Sequence, residues 1–306
     1  MVNNMIDTKV ISLLMVDETK NFTRAAQRLN LTQPAVSQHI RMLEEELGVK
    51  LFIRTPNELK ITKEGKIVCK YAKRMMALSK NLSDDLKNER SLIKSLTVGI
   101  THTAESNASA EALANYASEH DNMKIKLITD TQANLIAKLK NYEIDLAIIE
   151  GTITNPSLKS IMLDTDSLVL ALAPNHPLAK RNSIRIEDLK KEKMIIRSRT
   201  SSTRGLFQSS IESQNMHIEE FNIIMEIDNI QTIKDLVRRG FGVSVLARSA
   251  CMDEYYKNKI ALLPIEGLSM IREINLVYQQ DFDHDEVLKD IVLSYNNALK
   301  YNKTNL

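Results

Sequence analysis

A chain of 306 residues has the length of two domains with sizeable buried cores. Its composition, 43% hydrophobic and 26% charged, is that of an ordinary soluble protein; no run of eighteen apolar residues could span a bilayer, and the opening MVNNMIDTKVISLL lacks the basic-then-apolar plan of a secretory signal. A net charge of +2 and a pI near 8.3 exclude nucleic-acid binding through bulk charge, so any such binding must rest on a local constellation.

In chain order, Ile6, Val10, Leu13 and Leu14 recur at helical spacing and are expected to pack beneath the segment that follows. That segment, Asn21 to Arg54 (NFTRAAQRLNLTQPAVSQHIRMLEEELGVKLFIR), reads as two short helices, a tight turn and a wing. Thr23 is placed to cap a helix over Thr23 to Leu29 that buries Ala25, Ala26 and Leu29, and Asn30 tolerates the left-handed conformation of a helix stop. Thr32 offers a hydroxyl cap to the next helix, and Pro34 sits in its first turn, where a missing N–H costs nothing. That helix runs to about Leu47 and stops at Gly48, with Val36, Ile40, Leu43 and Leu47 on one face. The opposite face carries Gln33, Ser37 and Arg41 on one i, i+4 ridge, with Pro34 and Gln38 beside it. A short, mostly uncharged polar ridge at a helix N-terminus suits reading of a DNA major groove.

Leu51 to Thr62 alternates loosely around Pro56-Asn57, as a wing hairpin would. Thr62 is placed to cap a long helix that continues to about Arg90. Val68, Tyr71, Met75, Leu78 and Leu82 recur along it as a narrow coiled-coil seam. A stripe on so long a helix is best buried against a second copy; the competing reading packs it on its own N-terminal domain.

From Lys94 strands and helices alternate: Leu96–Ile100, Ala104–Glu119, Ile125–Thr129, Gln132–Asn141, Asp145–Glu150, Met194–Arg197, Thr203–Gln214, Ile223–Ile227, Ile230–Arg239 and Val243–Leu246. This alternation predicts α/β units with parallel sheets covered on both sides. Further strands are expected at Ile260–Pro264 and Glu273–Tyr278, and a last helix at Asp285–Tyr301.

Cys69 and Cys251 stand far apart and read as packing residues, in keeping with a reduced, cytoplasmic setting. The six histidines form no zinc pattern, and GxSxG, P-loop and HExxH motifs are absent. No catalytic residue, metal or cofactor is therefore expected, and the reading is not of an enzyme.

The N-terminal segment resembles the winged helix-turn-helix of LysR-type transcriptional regulators through AA…L in the first helix, LTQPAVS, LEEELG, LFIR and ITKEG; Ile61-Thr62 stands where that family has Leu-Thr. The second half resembles the family's effector domain through LTVGI, DLAIIEG, HPLAK and IKDLVRRGFGVSVLARS, although Asn229-Ile-Gln231 replaces a frequent Ser-x-Glu. The resemblance implies an α/β chain with an N-terminal winged helix-turn-helix (1–62), a linker and dimerisation helix (63–92), and a two-lobed, periplasmic-binding-protein-like effector domain (93–306).

Candidate DNA contacts are Thr32, Gln33, Pro34, Ser37, Gln38 and Arg41, with Arg41 as a phosphate clamp, and by resemblance Arg54 at the wing, suited to a narrow minor groove. Glu44, Glu45 and Glu46 would repel phosphates and are expected to be solvated or paired. In the effector half, Thr101-His102-Thr103 and Ser198 to Arg204 each join a strand to a helix, where open N–H groups and hydroxyls suit an anion. Thr101, His102, Thr103, Ser198, Arg199, Thr200, Ser202 and Thr203 are the candidate effector contacts, with Arg199 or Arg204 neutralising charge. Ordinary capping is the alternative for the hydroxyl run. The leading expectation is a regulator binding a double-stranded operator as a homodimer or homotetramer, switched by a small anionic metabolite, with no membrane partner. The alternatives are a small-molecule-binding protein or enzyme whose N-terminal module only mediates assembly, and a constitutive DNA-binding protein.

Overall fold

In the computed structural model, which describes residues 5–55, 58–91, 94–106 and 108–304, the chain separates into two units, Met1–Lys94 with Lys140–Glu143 and Ser95–Leu139 with Ile144–Leu306. The first holds α1 (Thr8–Thr19), α2 (Phe22–Leu29), α3 (Gln33–Leu47), β1 (Phe52–Arg54), β2 (Leu59–Ile61) and α4 (Lys63–Ser91).

Local caps set these boundaries. Asp7 accepts from the Lys9 N–H and opens α1, which leaves Ile6 ahead of the helix rather than on its buried face. Asn21, not Thr23, caps α2: its extended backbone aims the side-chain carbonyl at the Arg24 N–H, 3.0 Å away, and Thr23 already lies inside the helix. Thr32 caps α3, while Asn30 (φ 55°) and Gly48 (φ 66°) end α2 and α3 in the left-handed conformation. Val36, Ile40 and Leu43 join Leu13, Val16, Ala25, Ala26, Leu51 and Phe52 in the core. Leu47 does not; it is 46% exposed, with none of the described elements of this unit covering the last turn of α3.

The wing strands pair antiparallel from Phe52↔Ile61 to Arg54↔Leu59, and the expected turn at Pro56-Asn57 lies outside the described residues. Thr62 Oγ1 donates to the Lys50 carbonyl at 2.6 Å and accepts from the Gly65 N–H at 2.8 Å, so one hydroxyl closes the wing and caps α4. A Cβ on Gly65 would stand 2.3 Å from the Leu51 carbonyl oxygen, so this close approach requires glycine. Along α4, Cys69 and Ala72 enter the core and Val68, expected in the seam, packs against it, whereas Tyr71, Met75, Leu78, Leu82 and Leu86 remain exposed.

The second unit contains β3 (Lys94–Ile100), α5 (Ala108–Glu119), β4 (Met123–Thr129), α6 (Gln132–Lys140), β5 (Leu146–Glu150), β6 (Leu158–Leu172), α7 (Ile186–Leu189), β7 (Met194–Arg197), α8 (Ser202–Glu212), β8 (Ile223–Ile227), α9 (Ile230–Arg238), β9 (Ser244–Ala247), α10 (Met252–Tyr256), β10 (Ala261–Leu263), β11 (Ile271–Gln279) and α11 (Asp285–Thr304). Parallel pairing holds for β3 with β5 and for β7 with β8. The expectation of purely parallel sheets fails at β6 and β11. These pair antiparallel with each other, β11 with β5, and β6 with β9 and β10. The segment Leu158–Leu172 carries no single period: its first half is half-exposed against β11, and its second half, Val169 to Leu172, is buried throughout. That strand links two lobes. One packs Val98, Ile100, Leu146 and Ile148 beneath α5 and α11; the other packs Leu170, Leu172, Met194 and Val243 with Phe207 and Ile211 of α8. The helix expected from Ala104 is broken: a 3-10 turn spans Ala104–Ser106, held by Thr101, and α5 starts at Ala108.

Candidate functional site

Two constellations stand out, one in each unit. On α3, Gln33 Nε2 donates to Ser37 Oγ at 2.7 Å, so the two half-buried side chains form one hydrogen-bonding plate. Thr32, Pro34, Gln38 and Arg41 are exposed around it, with the Thr32 hydroxyl already accepting from the Ala35 N–H. On α3 as well, His39 Nδ1 lies 2.8 Å from Ser12 Oγ and ties the helix to α1. Glu44 is a structural clamp rather than a solvated charge: it accepts from the Leu51 N–H at 2.8 Å and pairs with Lys50 at 2.6 Å. Burial works to raise its carboxyl, but the Lys50 ammonium and the N–H groups of Leu51 and Phe52 outweigh it and hold it below the ordinary glutamate value. Glu46 pairs with Lys9, and Glu45 is exposed. Arg54 sits on β1; the expectation for its side chain lies outside the described residues.

In the second unit, Thr101, His102, Thr103, Asp130, Thr131, Gln132, Arg197, Thr200, Ser201, Ser202 and Asp228 surround a space of about 20 Å³, room for about one water. These residues come from the carboxyl ends of β3, β4, β7 and β8, where ligands of open α/β sheets gather. Thr101, His102, Thr103, Thr200 and Ser202 are thus brought together as expected. Ser198, Arg199 and Thr203 are not among the lining: Ser198 donates to Asp228 at 2.9 Å, Arg199 is exposed, and Thr203 is buried and accepts from Arg272 at 3.4 Å. Arg204 does not face the space either, since its Nη1 pairs with Glu226 at 2.7 Å. Of the two loops, the one before α8 opens directly onto an α-helix N-terminus, where Ser201 makes no side-chain cap bond; after Ile100 a short 3-10 turn intervenes.

The cation at the site is Arg197, the last residue of β7 and 3% exposed. Its Nη2 lies 3.4 Å from Asp228 Oδ1, a long contact, and its Nε and Nη1 have no acceptor among the described residues. Burial lowers the guanidinium from its ordinary value, against the pull of Asp228 and Glu150. Glu150, at the end of β5 and 1% exposed, accepts from Thr101 Oγ1 at 2.6 Å, and Ser202 Oγ stands 3.5 Å from its other oxygen. Arg272 of β11 donates to Ser202 Oγ at 3.1 Å and faces Asp166 at 3.8 Å; its Nε and Nη2 lack an acceptor among the described residues. Glu150 therefore receives hydroxyls from both lobes. Sequence reasoning missed Arg197, Glu150, Asp130, Asp228 and Arg272. For the first two, a signal was present: a charged residue closing an apolar strand, MIIR and LAIIE.

A larger space, about 720 Å³, lies against β6 and α10, lined by Asp166, Lys234, Glu254 and Tyr295 among others. Its buried cation is already satisfied, Lys234 Nζ being 2.7 Å from Glu254 and 2.9 Å from the Ala250 carbonyl. The smaller space, with its orphaned guanidinium, is the better candidate for a charged ligand. Among the described residues no group of three or more His, Cys, Asp or Glu could hold a metal, and no helix is long and apolar enough to cross a membrane. Burial pushes the Cys69 thiol up to about 11 and the Cys251 thiol up to about 12.

The description of a LysR substrate binding domain matches residues 89–293, and that of a bacterial regulatory helix-turn-helix protein of the lysR family matches residues 9–66. Over 275 residues the chain is 29% identical to an uncharacterized HTH-type transcriptional regulator of Methanocaldococcus jannaschii, covering 87% of this chain and 90% of that protein. Over 271 residues it is 28% identical to a probable RuBisCO transcriptional regulator of Thalassiosira pseudonana, covering 86% and 87%. Full-length CbnR complexed with its target DNA shares the fold, with a TM-score of 0.68 at 17% identity over 95% of this chain and 99% of that one. A helix-turn-helix in one unit, a polar cleft in the other and both family descriptions matched in that order lead to one conclusion: the chain belongs to the LysR family and is a helix-turn-helix, DNA-binding transcriptional regulator with an effector-binding domain.

Proposed function

We propose that this regulator reads its operator with Thr32, Gln33, Pro34, Ser37 and Gln38, holds phosphate with Arg41, sets Arg54 at the minor groove, and is switched by a small anionic effector bound between the lobes of residues 93–306. Residues 1–62 act as the DNA-binding domain and 63–92 as the linker. The exposed seam of Tyr71, Met75, Leu78 and Leu82 supports pairing of two α4 helices, which would present two reading helices to half-sites about one helical turn apart, or a multiple of it. The observation that carries the effector reading is Arg197: a buried guanidinium with two nitrogens lacking an acceptor among the described residues, beside a polar space, favours a carboxylate or oxyanion. That space is too small for an organic acid as it stands, so the lobes must part to admit one. Binding then shifts assembly geometry only to the extent that the effector prefers one lobe arrangement.

The test is a thermal-shift screen of anionic, neutral and cationic metabolites on the full chain and on Arg197→Gln, with sedimentation of Met75→Glu, Leu78→Glu alongside. Anions should stabilise wild type and not Arg197→Gln, and the seam variant should sediment as a monomer with little operator affinity. Stabilisation by cationic or neutral compounds alone would overturn the anionic assignment, and a monomeric wild type at micromolar concentration would overturn the seam.

A further inference from the structure

Positive charge is not spread evenly along this chain. Residues 1–94 hold seventeen Lys and Arg against eleven Asp and Glu, whereas residues 95–306 hold twenty-four against twenty-eight. The excess in the first stretch gathers at one place: between Lys60 and Arg74 stand six cations and a single acid, Glu64. None of these cations belongs to the α3 ridge or to the seam.

Lys63, Lys66, Lys70 and Lys73 recur along α4 at spacings of three, four and three, and all four are exposed. At 3.6 residues per turn they share a face about 80° wide, and Glu64 lies off it. Cys69 and Ala72 turn to the core, while Tyr71, Met75 and Leu78 occupy a different exposed face. Two α4 helices joined along the seam therefore leave the lysines in solvent. Lys63, Lys66 and Lys70 have no ion pair among the described residues, and Lys73 stands 3.9 Å from Asp17, a carboxylate that Lys20 holds more closely. Like charges three and four apart work against the helix that carries them. The row thus holds an unrelieved positive potential over about 15 Å of helix. One strand of duplex DNA carries a phosphate for about every 3.4 Å of axis, so four cations over that length match its linear charge.

The row also continues from the helix-turn-helix at both of its ends. Lys63 follows the wing strand β2 directly, where the Thr62 hydroxyl ties the wing to α4. Through Asp17, Lys73 lies beside the end of α1, where the chain passes into α2 and the exposed Arg24 of its first turn. Resting on the assignment of the first unit to DNA binding, we propose that the lysine face of α4 is a second DNA-contacting surface. It takes the phosphates of the duplex beside the bases that α3 reads, without regard to sequence, and lengthens the footprint beyond the helix-turn-helix.

The experiment measures affinity of the full chain for two duplexes across a range of salt, one drawn from a random-sequence pool and one enriched from that pool by the protein itself. Each of Lys63→Gln, Lys66→Gln, Lys70→Gln and Lys73→Gln should make the slope of log affinity against log salt shallower by about 0.9 for every α4 in the complex, and all four together by about 3 to 4. Both duplexes should weaken by the same factor, leaving their ratio within about twofold. The combination Lys63→Arg, Lys66→Arg, Lys70→Arg, Lys73→Arg keeps the charge and should keep the wild-type slope. Sedimentation checks that the variants pair as wild type does; should the fourfold Gln variant fail to pair, the single slopes decide. An unchanged slope with the enriched duplex still bound overturns the lysine face and leaves the α3 reading standing. A loss confined to the enriched duplex overturns the phosphate role. A wild type that shows no preference between the duplexes overturns the α3 reading, and the slopes still judge the lysines.

Discussion

The N-terminal polar ridge of α3 and the cleft of the second unit are polar sites built by opposite means. On α3 the partners are neighbours in sequence: Thr32 with Ala35, Gln33 with Ser37, each bond closing within a turn of helix. In the cleft Thr101 bonds to a residue 49 positions away, Arg197 to one 31 away and Arg272 to one 70 away. The local site is satisfied before any tertiary structure is imposed. The assembled one leaves four guanidinium nitrogens, two on Arg197 and two on Arg272, without an acceptor among the described residues. A site made by strand ends converging from several elements cannot satisfy every donor internally, and what it leaves open is what a ligand can use.

The strongest way to break this contrast is Arg272→Leu. Removing one member of a buried charge cluster leaves Asp166 and Glu150 short of a counter-charge, and the second unit should lose about 3–5 kcal/mol. Denaturant unfolding followed by probes in each unit should show the first unit unaffected; a loss below about 1 kcal/mol would mean that the cluster is solvated and not assembled as described. The ridge on α3 should behave differently. Gln33→Ala should reduce discrimination between operator and random DNA by roughly 1–3 kcal/mol while stability changes little, measured by competition binding at fixed salt. An equal loss on both DNAs would demote Gln33 to a phosphate contact. The smallest effect sharpens the local side of the comparison: Asn21→Ala should cost the first unit about 1 kcal/mol and Thr23→Ala well under half of that, by urea midpoint. The reverse ranking would restore Thr23 as the cap.

What was legible in the sequence follows the same division. The α3 boundaries, with Thr32 before it and Gly48 after it, were readable because each signal acts within one turn. Two errors there were also local: Asn21 and Thr23 are both good capping residues two positions apart, and Leu47 keeps the apolar spacing where the helix has outrun its cover. In the second unit β7 and β8 were readable as short apolar runs, but β6 was not, because its two halves sit in different surroundings. The hydroxyl loops were found by composition. Their cation was assigned to Arg199 or Arg204, since nothing in a linear reading tells which arginine turns inward; Arg197 does so only because β7 ends beneath the cleft.

The two buried cysteines carry a practical consequence. With thiols raised to about 11 and about 12, roughly one in ten thousand and one in a hundred thousand of them is ionised at neutral pH, and the thiolate is the form that alkylating reagents attack. Maleimide chemistry on the untouched chain should therefore be slow. Ala114→Cys on α5 and Ser209→Cys on α8, both at exposed positions on different lobes, would take nearly all of a dye or spin label. Spectroscopic rulers between those two positions would then follow lobe separation during ligand addition in a chain that keeps both of its native cysteines.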